Sequence, residues 1–586
     1  YAQVVVLTYQ APDINFFTYK IPANLTVKPG QLVEVPFGKR TPMGVVIETS
    51  NKKPATKGIK NINSILLQKP ILLPYQIELT KWMSSYYLAP MVNCLEVMLP
   101  SIPKRVAQLE GLPTARRSVT ELSQTIELRK RALAGGKIVT GPAQIIILVP
   151  AINKIPETLA KFPKAKNPVI YHNELKQSER YQNWQKIRNG NCDYIFGSRS
   201  AIFTPCPNLK EIIIYDEHDA SYKDIRSPHF DTLTIAQKIA ELTGTQIKIV
   251  DPAPKITTYF QMSKNIKIQK FETKYQIVSL VEERLAQNYN ILSEKLADSI
   301  THSKNTLLFL NKKRESGHLY CKNCQEKQFL QNQPETCPSC NSHDIYYNIL
   351  NLQSLFKEAK KLFPKRQVNL IDEKINLQAN DNHHPAIDIA TSAVFYKQNL
   401  KKYDLVGFVR PDAILNEPDF TSSENLNHQI INLYRQLTTG GKLIVQTYDT
   451  DNLLLTLALN QDYFTFYQKI IEERKKLVYP PFSTLVKLSF KGKDKEKILK
   501  LSQKTVADLK SKVQDLQENK KNQLLDILGP YKSVFWQKQS AYNIIIKNKV
   551  NDYSLKSREN STKSISQLLG NLPKGFSITV DPQSIN

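Results

Sequence analysis

Four cysteines give the clearest chemical signal in the sequence. They form two C-x-x-C pairs, and twelve residues separate one pair from the other. Pairs at this spacing can place four thiolates tetrahedrally around one Zn²⁺ ion, so the pattern predicts a single structural zinc site. A redox-active pair is the alternative. Four thiolates complete the tetrahedron and leave no position for a catalytic water. The predicted ligands are Cys321, Cys324, Cys337 and Cys340.

A second group of reactive side chains follows a short apolar run at residues 212–215. Such a run is typical of a buried strand, and its C-terminal end leads directly into Asp216, Glu217, His218 and Asp219. Ligands bind at that edge of an open parallel sheet. Acidic groups there can hold Mg²⁺ and orient a water beside a nucleotide phosphate. An acidic surface turn after a core strand is the alternative interpretation.

The composition limits the class of protein that must hold these groups in place. At 586 residues the chain is long enough for about three to five domains. Its formal net charge of +27 favours phosphate-rich partners, although a lysine- and asparagine-rich composition explains part of that excess. The sequence begins at Tyr1, without an initiator methionine or a start typical of a signal peptide, and it contains no apolar run of membrane-spanning length. We therefore expect a cytoplasmic protein without a membrane span.

Hydrophobic patterns predict the elements that position these residues. The first hundred residues read as a small β-rich module followed by a helix at 71–87. A lysine-rich segment near the C-terminus has Leu509, Val513 and Leu516 at helical spacing, which predicts an amphipathic helix; contact of its lysines with a DNA backbone is the sharper alternative. Strands are predicted at residues 4–9, 31–36, 144–149, 193–196 and 212–215.

Longer motifs resemble a known family. GSRSAIFTP at residues 197–205 and NLKEIIIYDEHDASYK at 208–223 resemble the helicase core of the PriA family, the primosomal N-prime proteins of replication restart. FTYKIP at 17–22, GQLVEVPFGK at 30–39 and WMSSYYLAP at 82–90 are similar to the 3′-end-binding domain of that family. The resemblance covers nearly the whole chain, apart from the family's winged helix and part of its zinc loop.

The resemblance implies an α/β multidomain fold. Its parts are a small β-rich N-terminal DNA-binding domain, two RecA-like α/β helicase lobes, degenerate here, with an inserted zinc ribbon, and an α+β C-terminal domain. The implied boundaries are residues 1–102 for the 3′-end-binding domain, 103–263 for the first lobe, 264–459 for the second lobe with its ribbon at 318–343, and 460–586 for the C-terminal domain.

The resemblance also assigns a DNA pocket to Phe17, Gly38 and Lys60. In the family this pocket holds the terminal base and the free 3′ hydroxyl of a nascent strand. An aromatic ring can wall a base, a glycine lets the backbone approach it, and a lysine contacts phosphate. Ordinary core packing is the alternative role of Phe17.

The segments that contact ATP in the family are altered at five places. Arg117 and Ser118 align with the end of the phosphate loop, where Arg117 replaces a lysine and glycines of the loop are lost. Tyr215 stands at the position of the Mg²⁺-holding aspartate, so Asp216 and Glu217 are remnants of an acidic motif. We therefore expect weakened or absent binding of ATP and Mg²⁺, and a slower phosphoryl transfer. The other altered segments are 250–254, 390–393 and 432–439.

These features predict a DNA-binding replication restart and primosome assembly protein that recognises stalled or branched forks without helicase activity. The alternatives are an active ATP-dependent 3′-to-5′ DNA helicase and a general zinc-ribbon nucleic-acid binder without a preference for forks. The expected partners are branched or 3′-ended DNA and, by the resemblance, primosome proteins, the loading machinery of the replicative helicase and single-strand-binding protein. The expected cofactor is one structural Zn²⁺ ion.

Overall fold

The computed structural model divides the chain into two compact units. The first combines Tyr1–Lys267 with Arg474–Asn586, and the second is Ile268–Glu473. The predicted phosphate loop at residues 111–118, with Arg117 and Ser118, lies outside the described residues. The structure describes residues 1–8, 15–54, 58–100, 141–272, 274–311, 317–330, 334–371, 385–396, 401–518, 525–533, 540–570 and 575–585.

The first unit begins with a five-stranded antiparallel sheet in the order β2-β1-β4-β3-β5. Side chains alternate across β1, so that Val4 packs into one apolar cluster and Val5 into the other. The sheet is therefore covered on both faces, partly by two helices. The elements are β1 Ala2–Val6, β2 Phe17–Tyr19, β3 Leu32–Glu34, β4 Met43–Thr49, β5 Ser64–Ile65, α1 Pro74–Tyr86 and α2 Met91–Glu96.

A parallel sheet follows in the order β11-β10-β9-β6-β8-β7. Ile212 and Ile214 of β9 pack on one face and Ile213 on the other, as expected for a parallel strand covered on both sides. The predicted strands at 144–149, 193–196 and 212–215 are β6, β8 and β9. The elements are β6 Gln144–Leu148, α3 Ile155–Ala160, β7 Pro168–Tyr171, α4 Gln177–Arg188, β8 Tyr194–Gly197, β9 Leu209–Tyr215, α5 Thr232–Thr243, β10 Gln246–Val250, α6 Ile256–Met262 and β11 Ile266–Lys267.

The second unit contains a six-stranded parallel sheet in the order β12-β20-β19-β13-β18-β17. A separate three-stranded antiparallel ribbon, β15-β14-β16, carries the cysteines. The elements are β12 Lys274–Ser279, α7 Leu280–Leu285, α8 Glu294–His302, β13 Asn305–Phe309, β14 Gly317–Cys321, β15 Lys327–Leu330, β16 Ile345–Ile349, α9 Leu352–Leu362, β17 Gln367–Ile371, β18 Ala386–Ala390, β19 Tyr403–Phe408, α10 Asp412–Leu415, α11 Ser422–Tyr434, β20 Leu437–Thr447, α12 Leu453–Leu459 and α13 Tyr463–Lys476.

The chain then completes the first unit with an antiparallel sheet in the order β22-β23-β21-β24. Leu509 and Val513 of the lysine-rich helix are buried, which confirms the predicted amphipathic face for these two residues. One apolar cluster runs through all three sheets of this unit. The elements are β21 Ser483–Gly492, α14 Lys495–Glu518, β22 Leu525–Lys532, β23 Ser540–Lys549, α15 Leu555–Leu569 and β24 Phe576–Val580.

This architecture confirms the predicted fold class. It has an antiparallel N-terminal sheet, two parallel α/β sheets, a cysteine ribbon and a C-terminal α+β part. The domain boundaries stay a prediction. Among the described residues, no helix combines the length and the apolar character needed to cross a membrane.

Candidate nucleic-acid interface and metal centre

Phe17 lies on β2 of the N-terminal sheet and contacts Phe37, the residue before Gly38. The Phe17 ring meets the Phe37 ring edge-on, with centroids 5.0 Å apart. Phe37 and Arg40 close a tight turn through two backbone hydrogen bonds of 2.8 and 3.0 Å. Gly38 occupies that turn at a φ of +60°, which favours glycine, and no atom lies within 4 Å of where a Cβ would stand. A half-buried aromatic ring therefore stands next to open space over a backbone turn.

Lys60 belongs to the segment that pairs with the end of β2. The Lys20 N–H donates to the Lys60 carbonyl oxygen at 2.9 Å, and the Ile62 N–H donates to the Lys20 carbonyl oxygen at 3.0 Å. The side chain of Lys60 is exposed, as are those of Lys39 and Arg40 in the Gly38 turn. Segments carrying exposed cations thus lie on two sides of the Phe17 strand. The arrangement suits a ligand with an aromatic base and a phosphate.

Asp216 turns the chain at the C-terminal end of β9. Its φ of +52° is in the left-handed region, which aspartate tolerates better than most residues. The side chain is buried, and one oxygen, Oδ2, lies 3.0 Å from the Lys154 ammonium. The carboxylate at the strand edge is therefore already neutralised by a lysine of the protein.

Glu217 and His218 have equally close partners. Glu217 is 1% exposed; its Oε1 lies 2.9 Å from the Lys255 ammonium, and its Oε2 accepts from the Lys255 N–H at 3.4 Å. Burial raises the pKa of Glu217, and Lys255 opposes that rise. The His218 ring nitrogen Nδ1 lies 2.8 Å from Oδ1 of Asp251, which follows the neighbouring strand β10. These contacts hold the segment in place through charges that belong to the chain itself.

The remainder of the segment joins the first parallel sheet to the C-terminal sheet. The buried Lys223 ammonium donates to the Val580 carbonyl oxygen at 2.7 Å, and burial lowers the pKa of Lys223. Arg199 donates to the carbonyl oxygens of Ser221 and Lys223 at 2.6 and 2.9 Å. The segment that leaves β9 is thus tied to the C-terminal sheet. Sequence reasoning did not find Lys154, Lys255 or Asp251 as its partners, because each lies in a distant loop.

The four cysteines meet in the ribbon. Their Sγ atoms all lie within 4.8 Å of one another, with Cys321 and Cys340 3.5 Å apart and Cys324 and Cys337 3.6 Å apart. These distances are too long for disulfides. They fit the edge of about 3.8 Å that a tetrahedron with metal–sulfur bonds of about 2.3 Å requires. In the part of the chain that the structure describes, this is the one group of three or more His, Cys, Asp or Glu side chains placed to hold a metal ion.

Each C-x-x-C pair is followed by a residue in the left-handed region. Gln325 has a φ of +59° and Asn341 a φ of +54°. The Asn341 N–H donates to the Cys337 carbonyl oxygen at 2.8 Å, and the Cys321 N–H donates to the Glu326 carbonyl oxygen at 3.0 Å. The two turns thus curl so that both thiols of each pair point to a common centre.

The structure brings some of the predicted site residues together. The four cysteines form one cluster, Phe17 contacts the residue before Gly38 with Lys60 on the next segment, and Asp216 and Glu217 stand at the carboxyl edge of the first parallel sheet. Arg117 and Ser118 lie outside the described residues. Phe37 and Arg40, which complete the turn beside Phe17, were not among the predicted site residues, although the FGKR sequence signals a turn.

Comparison with known proteins gives one family match and a consistent set of relatives. A family model for a 3′ DNA-binding domain of PriA proteins matches residues 5–100. The replication restart protein PriA of Bacillus subtilis is 27% identical over 466 residues, which are 70% of this chain and 56% of that protein. The PriA protein of Thermotoga maritima is 24% identical over 398 residues, 60% of this chain and 54% of that protein. The chain thus matches little more than half the length of these two relatives.

The match to another relative is longer. The PriA protein of Rickettsia felis is 24% identical over 570 residues, which are 83% of this chain and 87% of that protein. Among solved structures, the Mycobacterium smegmatis helicase Lhr bound to ssDNA and AMP-PNP matches 68% of this chain and 50% of its own, with 11% identity and a TM-score of 0.30. A TM-score that low adds nothing to the sheet topologies described above.

Proposed function

We propose that the chain is a replication restart protein of the PriA type, which binds branched or 3′-ended DNA at stalled forks and nucleates a primosome without acting as a helicase. The match to the 3′ DNA-binding model and the similarity to PriA proteins support this proposal. Its DNA partner would be recognised chiefly by the N-terminal module. Its protein partners would be primosome components, the loading machinery of the replicative helicase and single-strand-binding protein.

The pocket around Phe17 supports the DNA-binding part of this proposal. It lies inside the segment that matches the 3′ DNA-binding model, and it combines an aromatic wall, an open glycine turn and exposed cations. A terminal base would pack beside Phe17 over Gly38, and Lys60 would contact a phosphate. The net charge of +27 would add affinity that does not depend on sequence.

The ion pairs of the acidic segment are the main observation in favour of a protein without helicase activity. A helicase centre needs carboxylates at the strand edge that are available to hold Mg²⁺. Here Lys154 lies 3.0 Å from Asp216, Lys255 lies 2.9 Å from Glu217, and Tyr215 takes the preceding position. A metal ion would have to displace these half-buried lysines and break two ion pairs whose carboxylates are buried, which is costly.

The cysteine cluster supports one structural Zn²⁺ ion in the ribbon. Four thiolates at near-tetrahedral spacing match the preference of Zn²⁺ for sulfur ligands and leave no site for a reacting water. The ion would stabilise the ribbon, since this small sheet contains only three strands.

Fork binding with a lysine variant tests the DNA-binding proposal. Anisotropy would compare a labelled fork that has a 3′ terminus at the branch with the same fork lacking that terminus. We expect Lys60→Ala to weaken binding of the 3′-ended fork by about tenfold and to reduce the slope of log affinity against log salt by about one.

The matched control is Lys164→Ala, which removes an exposed lysine from the turn between α3 and β7 and should leave fork binding nearly unchanged. Equal affinity of the wild-type protein for the two forks would contradict recognition of a 3′ end. Equal effects of the two lysine variants would remove Lys60 from the pocket.

A further inference from the structure

The parallel sheet of the second unit has a switch point that the proposed function leaves unused. Strand β13 lies between β18 and β19, so successive strands are added first on one side of β13 and then on the other. In open α/β sheets, ligands bind outside the carboxyl ends of the strands at such a point. The chain that leaves β19 there is Val409, Arg410 and Pro411.

Arg410 is held in a conformation that favours glycine. Its φ is +145°, a value that L residues with side chains rarely adopt. Strained residues of this kind cluster at binding sites, because function retains a side chain that the backbone alone would replace with glycine. We therefore expect the guanidinium of Arg410 to have a function at this position.

The guanidinium of Arg410 lies over an aromatic ring. Its central carbon is 5.4 Å from the centroid of the Tyr448 ring, and Tyr448 is 40% exposed. Burial lowers the pKa of Arg410, and the nearby Arg284 adds to that effect. Arg284 lies in α7, which begins at the carboxyl end of β12, the neighbour of β20, so two cations and an exposed aromatic ring share one edge of the sheet.

Asp412 holds the segment that carries Tyr448 in place. Its Oδ1 accepts from the Thr447 hydroxyl at 2.7 Å and from the Tyr448 N–H at 3.0 Å. Asp412 is 9% exposed, and it offsets part of the positive charge of Arg410. The aromatic ring is therefore anchored to the sheet through its own backbone, which is how a rigid stacking surface is built.

We propose that Arg410, Tyr448 and Arg284 form a second nucleic-acid contact, which binds a single strand independently of its 3′ end. A base would stack on the exposed part of the Tyr448 ring, and the two arginines would contact the adjoining phosphates. A site for free phosphate would need the cations but not the exposed ring. This inference rests on the proposed function only in taking DNA as the ligand.

A circular single-stranded oligonucleotide tests the proposal, because it has no 3′ terminus for the N-terminal pocket. The variant is Arg410→Gly, since glycine removes the guanidinium and also accepts the backbone conformation. We expect this variant to bind the circle about tenfold more weakly, with a melting temperature equal to or above that of the wild-type protein. Tyr448→Leu should weaken binding of the circle to a similar extent.

The matched control is Arg226→Gln, which removes an exposed arginine of the other unit. It should bind the circle as the wild-type protein does. Wild-type affinity of Arg410→Gly for the circle would overturn the proposal, and so would displacement of the circle by inorganic phosphate at an equal concentration of phosphate groups. Loss of circle binding in Arg410→Gly, together with equal wild-type affinity for the two forks, would support this contact and contradict recognition of a 3′ end.

Discussion

Asp231 shows how single residues in the first unit are held by charge. Its Oδ1 accepts from the Thr234 N–H at 3.0 Å and so caps α5, while its Oδ2 lies 3.6 Å from the Lys255 ammonium. Burial opposes ionisation of this carboxyl, yet Lys255 and Lys223 hold the pKa of Asp231 below its usual value. Lys255 thus serves both Asp231 and Glu217.

Replacing Asp231 with Asn separates the charge from the helix cap. Asparagine caps a helix as well as aspartate does, so Asp231→Asn should remove only the attraction to the two lysines. We expect a loss of about 2 kcal/mol in the free energy of unfolding at pH 7. Because the folded pKa lies below the unfolded value, this stabilisation is present above about pH 4 and is lost as the pH falls through the folded pKa.

Denaturant unfolding at several pH values measures this difference. The gap between wild-type and variant stability should shrink below pH 4. Glu241→Gln is the control, since that carboxylate is 56% exposed and should contribute within about 0.5 kcal/mol. A gap that persists unchanged at pH 2 would contradict an electrostatic role for Asp231.

The sequence predicted the position of residues 216–219 but not their partners. A short apolar run followed by acidic residues is a local pattern, and the strand ends at Tyr215 as expected. The partners Lys154 and Lys255 lie in loops that only the order of the strands brings to the same edge. No periodicity in a single chain encodes that pairing.

At the scale of elements, the two cysteine turns were also only partly predictable from the sequence. The spacing of the cysteines predicted their grouping, because two C-x-x-C pairs this far apart are typical of a metal site. The sequence did not predict the left-handed backbone conformations of Gln325 and Asn341. Asparagine tolerates that region, whereas glutamine has no such preference.

Asn341→Val tests whether the left-handed turn supports metal binding. A β-branched residue at a φ of +54° costs about 1–2 kcal/mol, so we expect zinc to pass to a chromophoric chelator about tenfold faster than from the wild-type protein. Asn341→Gly is the matched control and should release zinc at the wild-type rate or more slowly. Equal release from both variants would show that the turn does not control the site.

At the scale of the whole molecule, buried polar contacts join the three sheets of the first unit. The Arg558 guanidinium donates to the Tyr86 hydroxyl at 3.1 Å and to Oε1 of Gln237 at 2.7 Å. The Tyr86 hydroxyl donates in turn to Oδ2 of Asp581 at 2.6 Å. The N-terminal sheet, the first parallel sheet and the C-terminal sheet therefore belong to one compact unit.

The order of the parts along the chain was predictable, whereas this junction was not. Short apolar runs predicted a small β-rich module at the N-terminus and, after it, the strands of an open parallel sheet. Arg558 gave no comparable signal, because a lone arginine in a lysine-rich helical segment is ordinarily solvated. It is 3% exposed only because residues from three sheets converge on it.

The central claim is that this molecule binds forks without consuming ATP. The most direct measurement is release of phosphate from ATP by the full-length chain, with Mg²⁺ and with a 3′-ended fork at a concentration where anisotropy shows it to be bound. We predict that phosphate release stays at the level of the protein-free control. Phosphate release that rises with fork occupancy and disappears in Asp216→Asn would contradict the claim and establish a working motor.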